Sequence, residues 1–370
     1  MTDIIQFPAL GLNIPINPIL VKIGPLTIHW YGVIIAAAFL VGTAILSKMS
    51  PRFGINSDRS FDVLMGGFLG GIVCARLYYV AFAWNLYKDN PITALYIWQG
   101  GLAIYGGLIG GLLVGLLMCK WRRVKSLPML DAASLGLLAG QAIGRWGNFV
   151  NMEAFGTNTN LPWGMTSDTI FAYLKSVSAQ LAQQGIVVNP KMPVHPTFLY
   201  ESVWNVVGLV FILLVVVPKR RYDGQVFLNY VGWYGLGRFW IEGLRTDSLM
   251  IGHVRISQAV AGLCALVAYG LLYYIRWIKI ERHPESVPPL YCTTAESALA
   301  LSGELYKKHP AGEPSAEEAA GEDASAAEVP AESASDTEAA GDAGQAQPEP
   351  EAPAGESAGP EAPAESAKEE

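Results

Sequence analysis

Charge is scarce in this sequence. Only 15% of its 370 residues are charged, against 51% hydrophobic, whereas soluble globular chains place charge at about a quarter of positions. What charge there is divides unevenly. Residues 301–370 hold 18 of the 32 acids, with only Lys307, Lys308 and Lys368 as bases, a net of -15; the first 300 keep 14 acids against 22 Lys and Arg, a net of +8. The formal total of -7 describes neither part. A body so poor in charge excludes an ordinary soluble domain and reads as a membrane protein. Cysteine is also sparse. Cys74, Cys119, Cys264 and Cys292 form no CxxC, no metal spacing and no disulfide framework, so they read as small buried hydrophobes. With no metal or nucleotide signature, no cofactor and no nucleic-acid partner are expected.

Long apolar runs are what the sequence has instead. Stretches of the length that crosses a hydrocarbon core, roughly 17 to 25 residues, lie near 28–47, 61–83, 100–119, 129–147, 198–217, 225–243 and 254–277. The first follows a segment with no basic n-region and no small-residue cleavage site, and is expected to be retained. Bases gather in alternate connections: Lys48, Arg52 and Arg59; Lys120, Arg122, Arg123 and Lys125; Lys219, Arg220 and Arg221; Arg276, Lys279 and Arg282. The other side has only Lys22, Lys88, Lys175 and Lys191. Cytoplasmic loops carry the excess of Lys and Arg, so the expected amino terminus is outside and the carboxyl terminus cytoplasmic. The expectation is an all-α integral membrane protein of seven transmembrane helices over 1–283. A small extracytoplasmic head, about 148–196, lies between spans four and five. Residues 284–370, rich in Ala, Glu, Pro, Ser and Gly, have too little apolar surface to offset ordering entropy and are expected to be a disordered cytoplasmic tail. Spans two and three share Gly66-Gly67-Phe68-Leu69-Gly70-Gly71 and Gly106-Gly107-Leu108-Ile109-Gly110-Gly111, a spacing that lets helix backbones approach in lipid.

Five arginines belong to neither set of connections: Arg76, Arg145, Arg238, Arg245 and Arg255. An arginine inside a span is costly unless it faces protein, water or an anion. At about 1.5 Å rise per residue, Arg76, Arg145 and Arg238 lie roughly 20 Å from the cytoplasmic side. For Arg76, a structural ion-pair or snorkelling role is the equal alternative. Tyr234, Arg238, Glu242 and Arg245 follow one another on one helix face, with one positive charge left over. Excess guanidinium in the outer half suits a phosphate, the geometric match for a planar bidentate fork. His29, Trp30 and Tyr31 open span one at the same level, Tyr105 opens span three, and the run from His195 to Glu201 opens span five. The densest polar stretch is Gly144-Arg145-Trp146-Gly147-Asn148-Phe149-Val150-Asn151-Met152-Glu153, which suits a lipid headgroup at the membrane boundary. A transporter or flippase of an anionic lipid or organic phosphate would also gather arginines, but along a path to both faces.

With that stretch as its signature, the sequence resembles the prolipoprotein diacylglyceryl transferases. His29-Trp30-Tyr31-Gly32, Ala75-Arg76-Leu77, Gly100 to Gly107, His195-Pro196-Thr197-Phe198-Leu199-Tyr200-Glu201 and Tyr234 to Arg245 carry the likeness over residues 1 to about 280. The resemblance implies a cell-membrane enzyme that moves the diacylglyceryl group of phosphatidylglycerol to the thiol of a lipobox cysteine in a prolipoprotein signal peptide. This is the first step of lipoprotein maturation. It implies that Arg145 is the main headgroup ligand and Arg238 the second essential arginine. Tyr31, Asn148, Glu153, Gly156, Glu242 and Arg245 match positions that the family uses. Asn151, Tyr234, Tyr105, His195 and His29 complete the candidate set. Many relatives carry histidine where this chain has Tyr105. Candidates for the base that takes the thiol proton are His29, His195, Glu153 and Tyr105.

Overall fold

The computed structural model describes residues 2–24, 26–97, 100–251 and 254–307. Among the described residues, six helices are long and apolar enough to cross a membrane: Trp30–Phe53, Ser57–Phe82, Ile104–Trp121, Ser126–Asn151, Thr197–Lys219 and Ile256–Ile280. Their α-helical parts are α1 (Trp30–Met49), α2 (Ser57–Phe82), α3 (Ile104–Trp121), α4 (Ser126–Asn151), α6 (Thr197–Phe211) and α8 (Ile256–Tyr273). Between them come α5 (Asp168–Gln183) and α7 (Gln225–Glu242). The expected sixth span forms as α7, a full 18-residue helix. It is absent from the six because it spends positions on Arg238, Glu242, Asn229 and several glycines. The chain is therefore a multi-pass membrane protein.

The helix α4 is the axis of the bundle. It packs on α1, α6 and α7, and 56% of its apolar stretch is buried, against 17% in α1, α2, α3 and α8. Glycine makes the closest crossing. A Cβ on Gly136 would lie 2.5 Å from the Gly42 carbonyl oxygen, so α1 and α4 touch backbone to backbone. The paired glycines of α2 and α3 do the same at Gly67, Gly71, Gly107 and Gly111, each facing the other helix's backbone. Packing accounts for that repeated pattern. The start of α7 is tied to the axis by Asp131 of α4, whose carboxylate accepts from the backbone N–H of Gly224 and of Phe227, both at 2.7 Å. These are orphan donors of a helix N-terminus.

Strands were not expected, and the described residues form three two-stranded antiparallel sheets. They pair β1 (Asp3–Phe7) with β2 (Leu12–Ile16), β3 (Ile19–Ile23) with β4 (Leu26–His29), and β5 (Met250–Ile251) with β6 (Val254–Arg255). The first hairpin joins the head. Gln6 and Thr166 exchange backbone hydrogen bonds, and Ile5 and Ile16 enter a core with Met165, Ile170, Leu174 and Val194. The head so defined is larger than residues 148–196, because this short hairpin has an apolar face with nothing to cover it until α5 is present.

The body also runs past residue 283, where the composition suggested that order stops. Short helical turns at Pro284–Ser286 and Tyr291–Thr293 lead to α9 (Ala295–Ser302) and Glu304–Tyr306. Tyr291, Ala300 and Leu305 are buried. The segment is held by basic connections: Lys125 pairs with Glu296 at 3.0 Å, and the Arg59 guanidinium lies 4.2 Å from the Tyr306 ring centre. A few apolar residues, set against loops rich in Lys and Arg, outweigh the polar average. The remainder of the expected tail, 308–370, lies outside the described residues.

Candidate active site

Three helix ends converge at one end of the bundle: the carboxyl ends of α4 and α7 and the amino end of α6. Side-chain hydrogen bonds fix their register. Ser202 of α6 donates to the Ala142 carbonyl at 2.8 Å and accepts from Trp146 Nε1 at 3.2 Å. Trp204 and Trp233 stack with ring centres 4.7 Å apart, and each indole N–H donates to the other's backbone carbonyl at 2.9 Å. With α4, α6 and α7 so pinned, Glu201 sits between the arginines.

Glu201 is 4% exposed. Its two oxygens reach two helices: Oε2 lies 2.7 Å from Arg145 Nη2, and Oε1 accepts from Arg238 Nη1 at 2.8 Å. Arg238 Nη2 meets Glu242 Oε2 at 2.5 Å, across one turn of α7. Arg245 lies 3.8 Å from Glu201 and 3.9 Å from Glu242, and holds Asp247 in a bidentate pair at 2.8 and 2.7 Å. Three arginines thus meet three carboxylates. The expected surplus of positive charge is not there, because Glu201 and Asp247 supply the balance. The sequence sets Glu201 among the polar groups at the outer level without marking its partners, and Asp247 has only its place two residues after Arg245 to mark it.

The cluster retains the capacity to bind an anion. Arg145 engages the protein through Nη2 alone, so Nε and Nη1 have no protein partner among the described residues. A guanidinium carries five N–H donors in a fixed fork, and such forks match phosphate bidentately. Its side chain keeps 20% exposure. A ligand can therefore reach Arg145 without displacing Glu201.

Beside it, the signature turns back on itself. Asn148 and Asn151 both donate to Glu153 Oε1, at 2.9 and 3.4 Å. Met152 and Ala154 take left-handed backbone conformations, with φ of 52° and 57°, which is costly away from glycine. Gly156 bridges to Arg245, and its N–H donates to the His195 carbonyl at 2.9 Å. A Cβ there would lie 2.7 Å from that of His195, so only glycine fits. Tyr31 packs its ring against Gly147, where a Cβ would come within 2.8 Å.

Other candidates stand apart from the cluster. Tyr234 stacks on Tyr230, with ring centres 6.1 Å apart, and Tyr105 Oη lies 3.5 Å from Ser257 Oγ. His195 Nδ1 is 3.1 Å from Tyr200 Oη, which accepts from Trp163 Nε1 at 2.8 Å. Burial holds the His195 pKa below its ordinary value, which favours the neutral ring. His29 ends β4, exposed, without a side-chain bond to any of these groups. Arg76 is a structural clamp. It is 6% exposed and donates to the carbonyls of Thr93, Ala94, Tyr96, Gly100 and Gly101. Arg255 likewise donates to the carbonyls of Glu242 and Gly243 at the end of α7. Among the described residues, no three His, Cys, Asp or Glu side chains gather as metal ligands would.

Among the described residues, a charged path to both faces, the mark of the transporter reading, does not appear. Asp131 is the buried acid toward the far end of α4, and both its oxygens are committed to capping α7. Comparison with known proteins points the same way. Residues 18–274 match the family described as prolipoprotein diacylglyceryl transferase. A protein of Trichormus variabilis is 41% identical over 275 residues, covering 72% of this chain and 92% of its own length. One of Limosilactobacillus reuteri is 42% identical over 257 residues, with 68% and 88% covered. One of Staphylococcus aureus is 38% identical over 278 residues, with 75% and 92% covered. All three are named phosphatidylglycerol–prolipoprotein diacylglyceryl transferase. The matched residues take in the stretch that holds the arginine cluster, and the chain belongs to the prolipoprotein diacylglyceryl transferase family.

Proposed function

We propose that this chain transfers the diacylglyceryl group of phosphatidylglycerol to the lipobox cysteine of prolipoprotein signal peptides, with Arg145 and Arg238 as the headgroup clamp. The observation that carries the reading is the Glu201-centred cluster, in which Arg145 keeps free donors next to a second guanidinium. In the proposed step, the cysteine thiolate attacks the glyceryl carbon, a carbon–sulfur bond forms, and the carbon–oxygen bond to phosphate breaks. Glycerol phosphate leaves with the bonding electrons. A thiol of pKa about 8.5 needs help to ionise, and the thiol proton passes to a base. Of the named candidates, Glu153 is the carboxylate without an arginine partner. Developing charge on the leaving phosphate is met by guanidinium donors that are already in position. Glu201 and Glu242 orient those donors. Asn148, Asn151, Tyr31, Gly156 and Arg245 shape the same mouth, with Tyr234, Tyr105, His195 and His29 at its margin.

The same reading counts α7 as a seventh span, its charges facing protein rather than lipid. It sets the head outside, the arginine cluster at the outer half of the membrane, and the carboxyl terminus inside. The bases of alternate connections support this orientation. The test is to give the purified protein phosphatidylglycerol and a lipobox peptide. The peptide should gain the mass of one diacylglyceryl group, glycerol phosphate should be released in equal amount, and a Cys-to-Ser peptide should gain nothing. Absence of both products would overturn the reading.

A further inference from the structure

A cationic site lies at the opposite end of the bundle, away from the arginine cluster. A cavity of about 300 Å³ opens where α6 ends, α7 begins and α8 ends. Lys219, Arg221 and Arg276 line it, no Asp or Glu does, and its apolar wall includes Leu272 and Ile280. None of the three cations forms an ion pair with a described residue; Arg276 rests against the Trp277 ring, 5.8 Å from its centre. Tyr222 also lines the cavity. It is 8% exposed, and its hydroxyl is buried without a hydrogen-bond partner. Burial, and after it the Asp131 charge, pushes its phenol up to about 12, so it remains a neutral donor.

The flanking helices are modified at this place. The chain widens to a π-helix at Ile212–Val216, just before Lys219, and again at Tyr274–Ile280, which contains Arg276. Such bulges are frequent at functional sites. Gln225 lines the cavity and opens α7, and Arg238 is thirteen residues further along the same helix, about 20 Å at 1.5 Å per residue. The two sites therefore face opposite ends of the bundle.

We propose that this cavity binds the phosphate of an anionic phospholipid from the leaflet opposite the one that serves the arginine cluster. Unpaired cations between helix ends and an apolar wall suit a phosphodiester with acyl chains. Basic pockets between spans on the cytoplasmic side take lipid phosphates in this way. The acidic stretch 301–370 offers carboxylates but no acyl chain to lie along Leu272 and Ile280. The proposal rests on the membrane placement of the helices and is independent of the transfer chemistry.

The test is native mass spectrometry of the full-length protein in neutral detergent, titrated with phosphatidylglycerol, phosphatidylcholine or inorganic phosphate. The wild type should retain one more phosphatidylglycerol than the Lys219→Gln/Arg221→Gln/Arg276→Gln variant, with affinity at that site at least tenfold weaker in the variant. Phosphatidylcholine should not fill the site, and inorganic phosphate should not displace the lipid. An Arg145→Gln/Arg238→Gln protein should still fill it, which separates this site from the other. Arg276→Gln alone, on an exposed side chain, should weaken binding several-fold and covers the case of a triple variant that does not fold. Equal binding by all the variants, equal filling by phosphatidylcholine, or displacement by free phosphate would overturn the proposal. So would Lys219 that stays cross-linked to acids of 311–370 at saturating phosphatidylglycerol.

Discussion

Glu201 is the residue on which the cluster depends, because one carboxylate serves guanidinium groups from two helices at 2.7 and 2.8 Å. Breaking a buried ion pair from one side costs about 3 to 5 kcal/mol, since it leaves the partner charge unbalanced. Glu201→Gln keeps the shape and removes the charge. It should lower the unfolding midpoint and reduce transfer, while Asp247→Asn, on a more exposed carboxylate, should do less; equal effects would show that Glu201 is no hub. His195 gives a pH-dependent counterpart. Its folded pKa lies below 6.5 because burial disfavours the charged ring, so the unfolded state takes up the proton first as pH falls. Stability is full above the unfolded pKa and declines as pH drops below about 6.5 toward the folded value. The unfolding midpoint should fall between about pH 7.5 and pH 5.5, and His195→Asn should flatten that difference; an unchanged slope would contradict this.

Helix packing is set by glycine as much as by large side chains. Gly136→Val would drive a side chain into the Gly42 carbonyl, 2.5 Å from a built Cβ, and overpacking of this kind costs about 1 to 3 kcal/mol. Its unfolding midpoint should drop, whereas Gly115→Val, with nothing within 4 Å, should leave it unchanged. These contacts explain what sequence reading reached and where it stopped. Six of the seven expected spans were legible because length and apolarity are local properties, and α4 could be singled out by its run from Gly144 to Glu153. The partner of Arg145 was not legible, since Glu201 lies 56 residues away and only folding brings them together. Arg76 was divided between two readings, and five backbone carbonyls decide for the structural one. The first hairpin escaped because its strands are five residues each and find their apolar cover only in α5 and the head.

The whole molecule divides into a neutral arginine–carboxylate cluster at one end and a base-rich end at the other, and the proposed orientation follows from that asymmetry. A reporter fused to the carboxyl terminus should be active only in its cytoplasmic form, and one placed in the 184–192 loop of the head only in its exported form. The reverse pattern would invert the reading, and both reporters on one side would leave the crossings between them even in number. The central claim concerns the two arginines. Its most direct test is the rate at which purified Arg145→Ala and Arg238→Ala proteins transfer diacylglyceryl from phosphatidylglycerol to a lipobox peptide, beside the wild type and with folding checked by the unfolding midpoint. Each variant should lose about 10²-fold or more in rate, the scale for removing a prepositioned donor to developing negative charge. A folded Arg145→Ala protein that transfers at the wild-type rate would contradict the account.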